Sequence, residues 1–155
     1  MVNPNLPKWI LGSIANYMKE VADSLEIECF VEGLDQFDPD SSNSDRVEVR
    51  VHGPDIKQLS SNVYRIRVSI NLLLTSFMSS TKNAYNIYLW CGEFSDAMTT
   101  LIPIYEIGDG NELVGCLTYK RTRDTELKVF HFPRVTKEDF VRQTELDCNY
   151  EMEIY

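Results

Sequence analysis

"VYRIRVSINLLL", residues 63–74, is the stretch on which the fold turns. Its apolar residues occupy every second position. Tyr64, Ile66, Val68, Ile70, Leu72 and Leu74 share one face, and Arg65, Arg67, Ser69 and Asn71 share the other. A period of two marks a strand with one face buried and the other wet. Twelve residues is long for a strand, since about five or six is usual. This one is expected to bend or to run out beyond its sheet.

The same alternation returns in "TELDCNYEMEIY", residues 144–155. Thr144, Leu146, Cys148, Tyr150, Met152 and Ile154 fall on one face; Glu145, Asp147, Asn149, Glu151 and Glu153 fall on the other. "RVEVRVH", residues 46–52, sets Val47, Val49 and Val51 against Arg46, Glu48, Arg50 and His52. A strand from Leu25 sets Ile27, Cys29 and Val31 against Glu26, Glu28, Phe30 and Glu32, and Gly33 ends it. "LIPIYEI", "ELVGCLTYK" and "ELKVFHF" bring the number to about seven. Gly108-Asp109-Gly110-Asn111 reads as the hairpin turn between the first two of these, with glycines where positive φ is needed.

Two segments carry the helical period instead. In the first, Leu6, Ile10, Ile14, Tyr17, Met18, Val21 and Leu25 form the stripe. Asn3 or Asn5 is the expected cap, and Pro7 suits the first turn. In the second, residues 79–100, Ala84, Ile87, Cys91, Phe94 and Met98 form the stripe, with Ser80 or Thr81 as cap. Gly92 there suggests a close helix-to-sheet contact. "GPDIKQLSS", residues 53–61, reads as a turn or short helical turn. "DQFDPDSSNSD", residues 35–45, reads as an exposed loop, and "TKEDF", residues 136–140, as a short turn. The expectation is one α+β domain over residues 1–155, a mostly antiparallel sheet with two helices on its apolar face.

Composition narrows the function. The net charge of -9 argues against a nucleic-acid reader, which needs a basic footprint. No apolar run is long enough to span a bilayer, and the first residues lack the pattern of a secretory signal. The chain is expected to act in, or be assembled in, a cytoplasm. Cys29, Cys91, Cys116 and Cys148 form no CxxC pair and are not spaced with His52 and His131 as zinc ligands would be; buried reduced thiols are expected. Trp9 and Trp90 sit on the helices and read as packing residues. "DPDSSN" from Asp38 has Asn43 and Val49 where a calcium loop needs Gly and Glu. No nucleophile, phosphate-loop or metalloprotease motif is present, so neither an enzyme nor a cofactor is expected.

What remains is charge on strand faces. One alternative is that acidic and basic strands lie side by side and form exposed cross-strand pairs. The other is that part of the acidic face is unpaired and lines a shared surface. An N-terminal helix, a long alternating strand, a helix running into "LIPIYEIGDGNELVGCL" and the last strand "RQTELDCNYEMEIY" resemble the small neck and tail-completion proteins of tailed bacteriophages, above all the tail terminator. The resemblance implies a structural virion protein, assembled in the host cytoplasm, that forms a hexameric ring at the head–tail junction. The implied partners are the tail tube protein and connector or adaptor proteins, with DNA passing nearby unbound. On that reading Glu145, Asp147, Glu151 and Glu153 face the DNA channel, where carboxylates repel the phosphate backbone. Arg46, Arg50, Arg65, Arg67, Glu26 and Glu28 are the candidate subunit-interface charges. A head-completion or connector-adaptor neck protein is the alternative within the class; a stand-alone cytosolic binding module is the alternative outside it.

Overall fold

A computed structural model describes residues 2–35, 45–77, 85–119, 127–131 and 141–155. Among these residues it has two helices and seven strands: α1 (Leu6–Ser24), β1 (Glu28–Val31), β2 (Arg46–Ser60), β3 (Val63–Phe77), α2 (Tyr85–Met98), β4 (Ile102–Tyr105), β5 (Leu113–Tyr119), β6 (Lys128–His131) and β7 (Val141–Ile154). The strands form one sheet in the order β1-β2-β3-β7-β5-β4, and β6 pairs with the first half of β7. Only β1 and β2 run parallel; every other pairing is antiparallel. The fold is α+β, as the alternation predicts.

The two strands with the clearest alternation are neighbours. Tyr64 stands opposite Ile154 and Phe77 opposite Val141, so β3 and β7 pair along their whole length. Ile66, Val68, Ile70, Leu72 and Leu74 of β3 and Leu146, Cys148, Tyr150 and Met152 of β7 are buried beneath the helices. α1 buries Leu6, Ile10, Ile14, Met18 and Ala22, a stripe four residues apart. It touches β1 and β2 on one side and β4 on the other, while α2 lies on β3 and β7. The sheet therefore curls around its helices. Asn5 holds the N-cap position of α1 without a side-chain cap bond; Asn3 Oδ1 accepts the Asn5 N–H at 2.9 Å. The expected cap of α2 lies outside the described residues, as do most of the loop 35–45 and the turn 136–140.

Four local expectations are corrected. The first strand begins at Glu28, because the chain turns at Leu25 and at Glu26, whose φ of 57° is left-handed. Ser13, which the helical stripe leaves out, is buried. Gly92 is exposed, and a Cβ there would have nothing within 4 Å, so it marks no close approach. The stretch 53–61 is no turn. β2 runs through it to Ser60, paired with β3, with a bulge between His52 and Asp55. Turn-forming residues here build an irregularity inside a strand. The hairpin turn 108–111 does form: Gly108, Gly110 and Asn111 all have positive φ, and the Glu106 carbonyl accepts the N–H groups of Asp109 and Asn111.

Beyond the bulge, residues 55–60 of β2 form an edge of the sheet, paired with β3 alone among the described residues. Residues 55–62 are all exposed, while β3 itself stays within the sheet, paired with β2 on one side and, from Tyr64 to Phe77, with β7 on the other. Gly53 sets the bend. Its φ is +105°, and a Cβ would lie 2.9 Å from the Arg67 carbonyl oxygen. Gly53→Ala is expected to cost about 1–2 kcal/mol, read as a lower urea midpoint at unchanged slope.

Candidate functional site

The face of the sheet opposite the helices carries the charges singled out from the sequence. In register, Arg65 stands opposite Glu153, Arg67 opposite Glu151, Ser69 opposite Asn149 and Asn71 opposite Asp147. Arg65 Nε lies 2.9 Å from Glu151, and Arg65 Nη2 lies 3.2 Å from Glu153. Arg67 Nε donates to Glu151 at 3.3 Å. Ser69 bonds Asn149, and Asn71 Nδ2 donates to Glu145 at 2.6 Å. Asp147 is exposed, opposite both Asn71 and Lys128. The ladder thus joins Arg65 and Arg67 to two of the four candidate channel carboxylates, Glu151 and Glu153, and a third, Glu145, accepts from Asn71. Each exposed pair is worth at most about 1 kcal/mol, so the ladder specifies strand register more than it stabilises the fold.

The other candidate charges are dispersed. Arg46 is buried against the Phe77 ring, 5.3 Å from its centroid, and 3.7 Å from Glu48. Arg50 is an exposed partner of Glu32 at 3.8 Å. Glu28 is exposed at the start of β1, and Glu26 is exposed in the turn before it. By register this face also carries Arg46, Lys57, Glu28, Glu32, Glu48 and Asp55 beside Arg50, Arg65, Arg67, Lys128, Glu145, Asp147, Glu151 and Glu153, so carboxylates outnumber cations along it. Exposed carboxylates of the helices, Glu20, Asp23, Glu93 and Asp96, carry a further part of the excess negative charge.

A groove of about 420 Å³ lies between α1 and β4. Tyr17, Pro103, Tyr105 and Ile107 form its apolar wall, with Asn16 and Glu20 at the rim. Ser13 Oγ accepts the Tyr105 N–H at 2.9 Å and donates to the Tyr105 carbonyl at 3.4 Å. A helix side chain therefore occupies main-chain groups that an edge strand would otherwise offer. Tyr17 donates its hydroxyl to the Ala97 carbonyl at 2.7 Å, and Tyr150 donates to the Met98 carbonyl at 2.6 Å. These are among the last carbonyls of α2, where regular helical donors run out; that of Ala97 also accepts the Thr100 N–H at 3.3 Å. Burial, then the nearby Asp96, raises the Tyr17 pKa; burial raises that of Tyr150.

Among the described residues no titratable groups are arranged as a nucleophile–base pair. His52 is exposed opposite Ser69. His131 Nδ1 is 2.7 Å from Thr144 Oγ1, and its ring tilts against Tyr88. The four cysteines are free thiols. Burial pushes Cys29 up to about 11 and raises Cys91 and Cys148, which keeps them protonated and unreactive at neutral pH. Among the described residues no three His, Cys, Asp or Glu side chains are grouped to hold a metal ion, and no helix is long and apolar enough to cross a membrane.

No family model matches the chain, and no curated protein matches it. It is similar to a solved structure that carries no functional description, at a TM-score of 0.56 and 10% identity, over 96% of each chain. At that identity the likeness is one of fold: the curled sheet and its two helices recur over nearly the full length of a protein that shares one residue in ten.

The sequence reading missed the groove, the Ser13 contact and the two tyrosine contacts. Each depends on which elements become neighbours, and the only local trace is a hydroxyl on an otherwise apolar face.

Proposed function

We propose that this chain is a structural virion protein of a tailed phage, a tail terminator that assembles into a ring at the head–tail junction. It works by docking identical copies and the tail tube, without catalysis. The observation that supports this best is the outer half of β2: residues 55–60 are exposed, and as an edge strand they leave main-chain groups open to a second chain. A segment that costs ordering entropy and buries little needs a partner to repay it.

The ladder changes how such a ring would treat DNA. Glu151 and Glu153, matched by arginines, neither grip nor strongly repel phosphate and serve register. On this proposal the repulsion comes from Glu145 and Asp147 and from the exposed carboxylates of the helices, Glu20, Asp23, Glu93 and Asp96.

The test is to add the purified protein to tail tube protein from its own virion during tube polymerisation. Tubes capped at one end by rings in electron micrographs, with growth arrested, are the expected result. Binding to portal or adaptor and not to tubes assigns the chain to the neck on the head side. Turnover of a substrate, or indifference to every virion part, removes the proposal.

A further inference from the structure

The outer half of β2 carries a short, self-complementary run of charge. Asp55, Ile56 and Lys57 are exposed and stand opposite Arg67, Ile66 and Arg65 of β3. Asp55 and Lys57 therefore lie on the charged face of the sheet, and Ile56 lies on the helix side, beside the buried Ile66. Ile56 is nevertheless 41% exposed. Across to β3, Lys57 meets a like charge, which is unfavourable, and that Arg65 already holds Glu151 and Glu153. Neither Asp55 nor Lys57 is in an ion pair among the described residues.

The main chain here is an open edge. β1 pairs with β2 only from Arg46 to Val49, so beyond Pro54 alternate N–H and carbonyl groups of β2 point away from β3 with no strand beside them among the described residues. The other end of the sheet order is blunted. β4 contains Pro103, which has no N–H, and Ser13 engages both main-chain groups of Tyr105.

Two copies of the β2 edge fit each other. A two-fold axis normal to the sheet sets β2 antiparallel to β2 and keeps each face on its own side. Centring that axis on Asp55 opposes two carboxylates, and centring it on Lys57 opposes two lysines. Centring it on Gln58 leaves both charges unmatched. Centring it on Ile56 sets Asp55 of each copy against Lys57 of the other and brings the two Ile56 side chains together. We infer that the free chain pairs through this edge with a second copy of itself, antiparallel about Ile56. The contact gives Lys57 the carboxylate that its own subunit does not supply, hydrogen-bonds the open edge and covers Ile56. It uses far fewer than the roughly 20–30 residues a side of a stable complex, so the dimer is weak. A two-fold contact closes at two copies. It builds no ring and does not depend on the ring proposal; it covers the edge of the unassembled chain, and a ring that used this edge would displace it.

Charge exchange tests the register. The full chain, Asp55→Lys, Lys57→Asp and an equimolar mixture of the two variants are compared by sedimentation velocity from low micromolar to millimolar concentration. Circular dichroism checks that all are folded, which these exposed positions favour. The wild type is expected to form dimers at the upper end of the range. Each variant alone opposes like charges twice, once in each half of the contact, and is expected to raise the dissociation constant about tenfold or more. In the mixture every opposed pair is again of opposite sign, so dimers are expected to return, and only as heterodimers. Ile56→Ser is expected to weaken association with no change of charge. A wild type that stays monomeric throughout, single variants that dimerise as the wild type does, or a mixture that fails to recover overturns the edge contact. Tube capping is read separately: capped tubes with a failed edge contact keep the ring proposal, and edge dimers with uncapped tubes remove the ring and keep the dimer.

Discussion

Phe94→Ala lowers the unfolding free energy by about 3–5 kcal/mol, the range for deleting a fully buried phenylalanine. Phe94 is wholly inaccessible and lies on α2, the helix that covers β3 and β7 at the centre of the sheet. Its removal leaves a cavity between the helix and the longest strand pair, which sheet and helix cannot both close because each is held by other neighbours. In a chain of this size the melting temperature falls by roughly 2–4 °C for each kcal/mol, so the drop is about 6–20 °C, at an unchanged denaturant slope. Two residues earlier the opposite holds. Gly92 is exposed in the helix interior with open space where a Cβ would go. Gly92→Ala is expected to raise stability by up to about 1 kcal/mol, the helix-propensity difference between the two residues. Urea titrations of both variants decide the orientation of α2. If Gly92→Ala destabilises as Phe94→Ala does, the helix presents the other face to the sheet.

The faces of the elements were legible and their neighbours were not. Alternation places Ile66, Val68 and Ile70 on the buried side of β3 and Arg65 and Arg67 on the wet side, because side-chain direction follows from local geometry alone. That β7 lies beside β3, and so sets Glu151 between Arg65 and Arg67, depends on pairing across more than eighty residues. Whether the acidic face stays bare or is matched depends on that adjacency, and the two alternatives left open by the sequence differ in nothing else. The stretch 53–61 was misread for a related reason. Gly53-Pro54-Asp55 is turn chemistry by any local rule, yet a paired strand absorbs it as a bulge when the partner strand continues. Residues 57–60 then lack the strong alternation that would have signalled continuation. The groove could not be read at all, since α1 and β4 are brought together only by the curl of the sheet.

Tyr150→Phe is expected to cost about 1–3 kcal/mol, the penalty for stranding a buried polar group. The alternation of β7 marks Tyr150 as a core residue, and it is 1% exposed. What the alternation hides is the hydroxyl, which donates to the Met98 carbonyl at 2.6 Å. Phenylalanine keeps the ring and the packing, so the loss isolates the hydrogen bond. The Met98 carbonyl belongs to the last turn of α2 and has no helical donor; inside the core no water replaces the phenol. Tyr17 donates to the adjacent Ala97 carbonyl, but it is half-buried and borders the groove, where water reaches. Tyr17→Phe is therefore expected to cost less, about 0.5–1.5 kcal/mol. The two hydroxyls hold neighbouring carbonyls of one helix end, so the double variant is expected to depart from additivity by at least about 0.5 kcal/mol. A neutral Tyr150→Phe means that the end of α2 is not tied to β7. Strict additivity means that the two contacts act on α2 independently. If the coupling is present, one helix end joins the groove wall, through Tyr17, to the central strand pair, through Tyr150. A load applied at the groove then reaches the part of the sheet where β3 and β7 are most firmly paired.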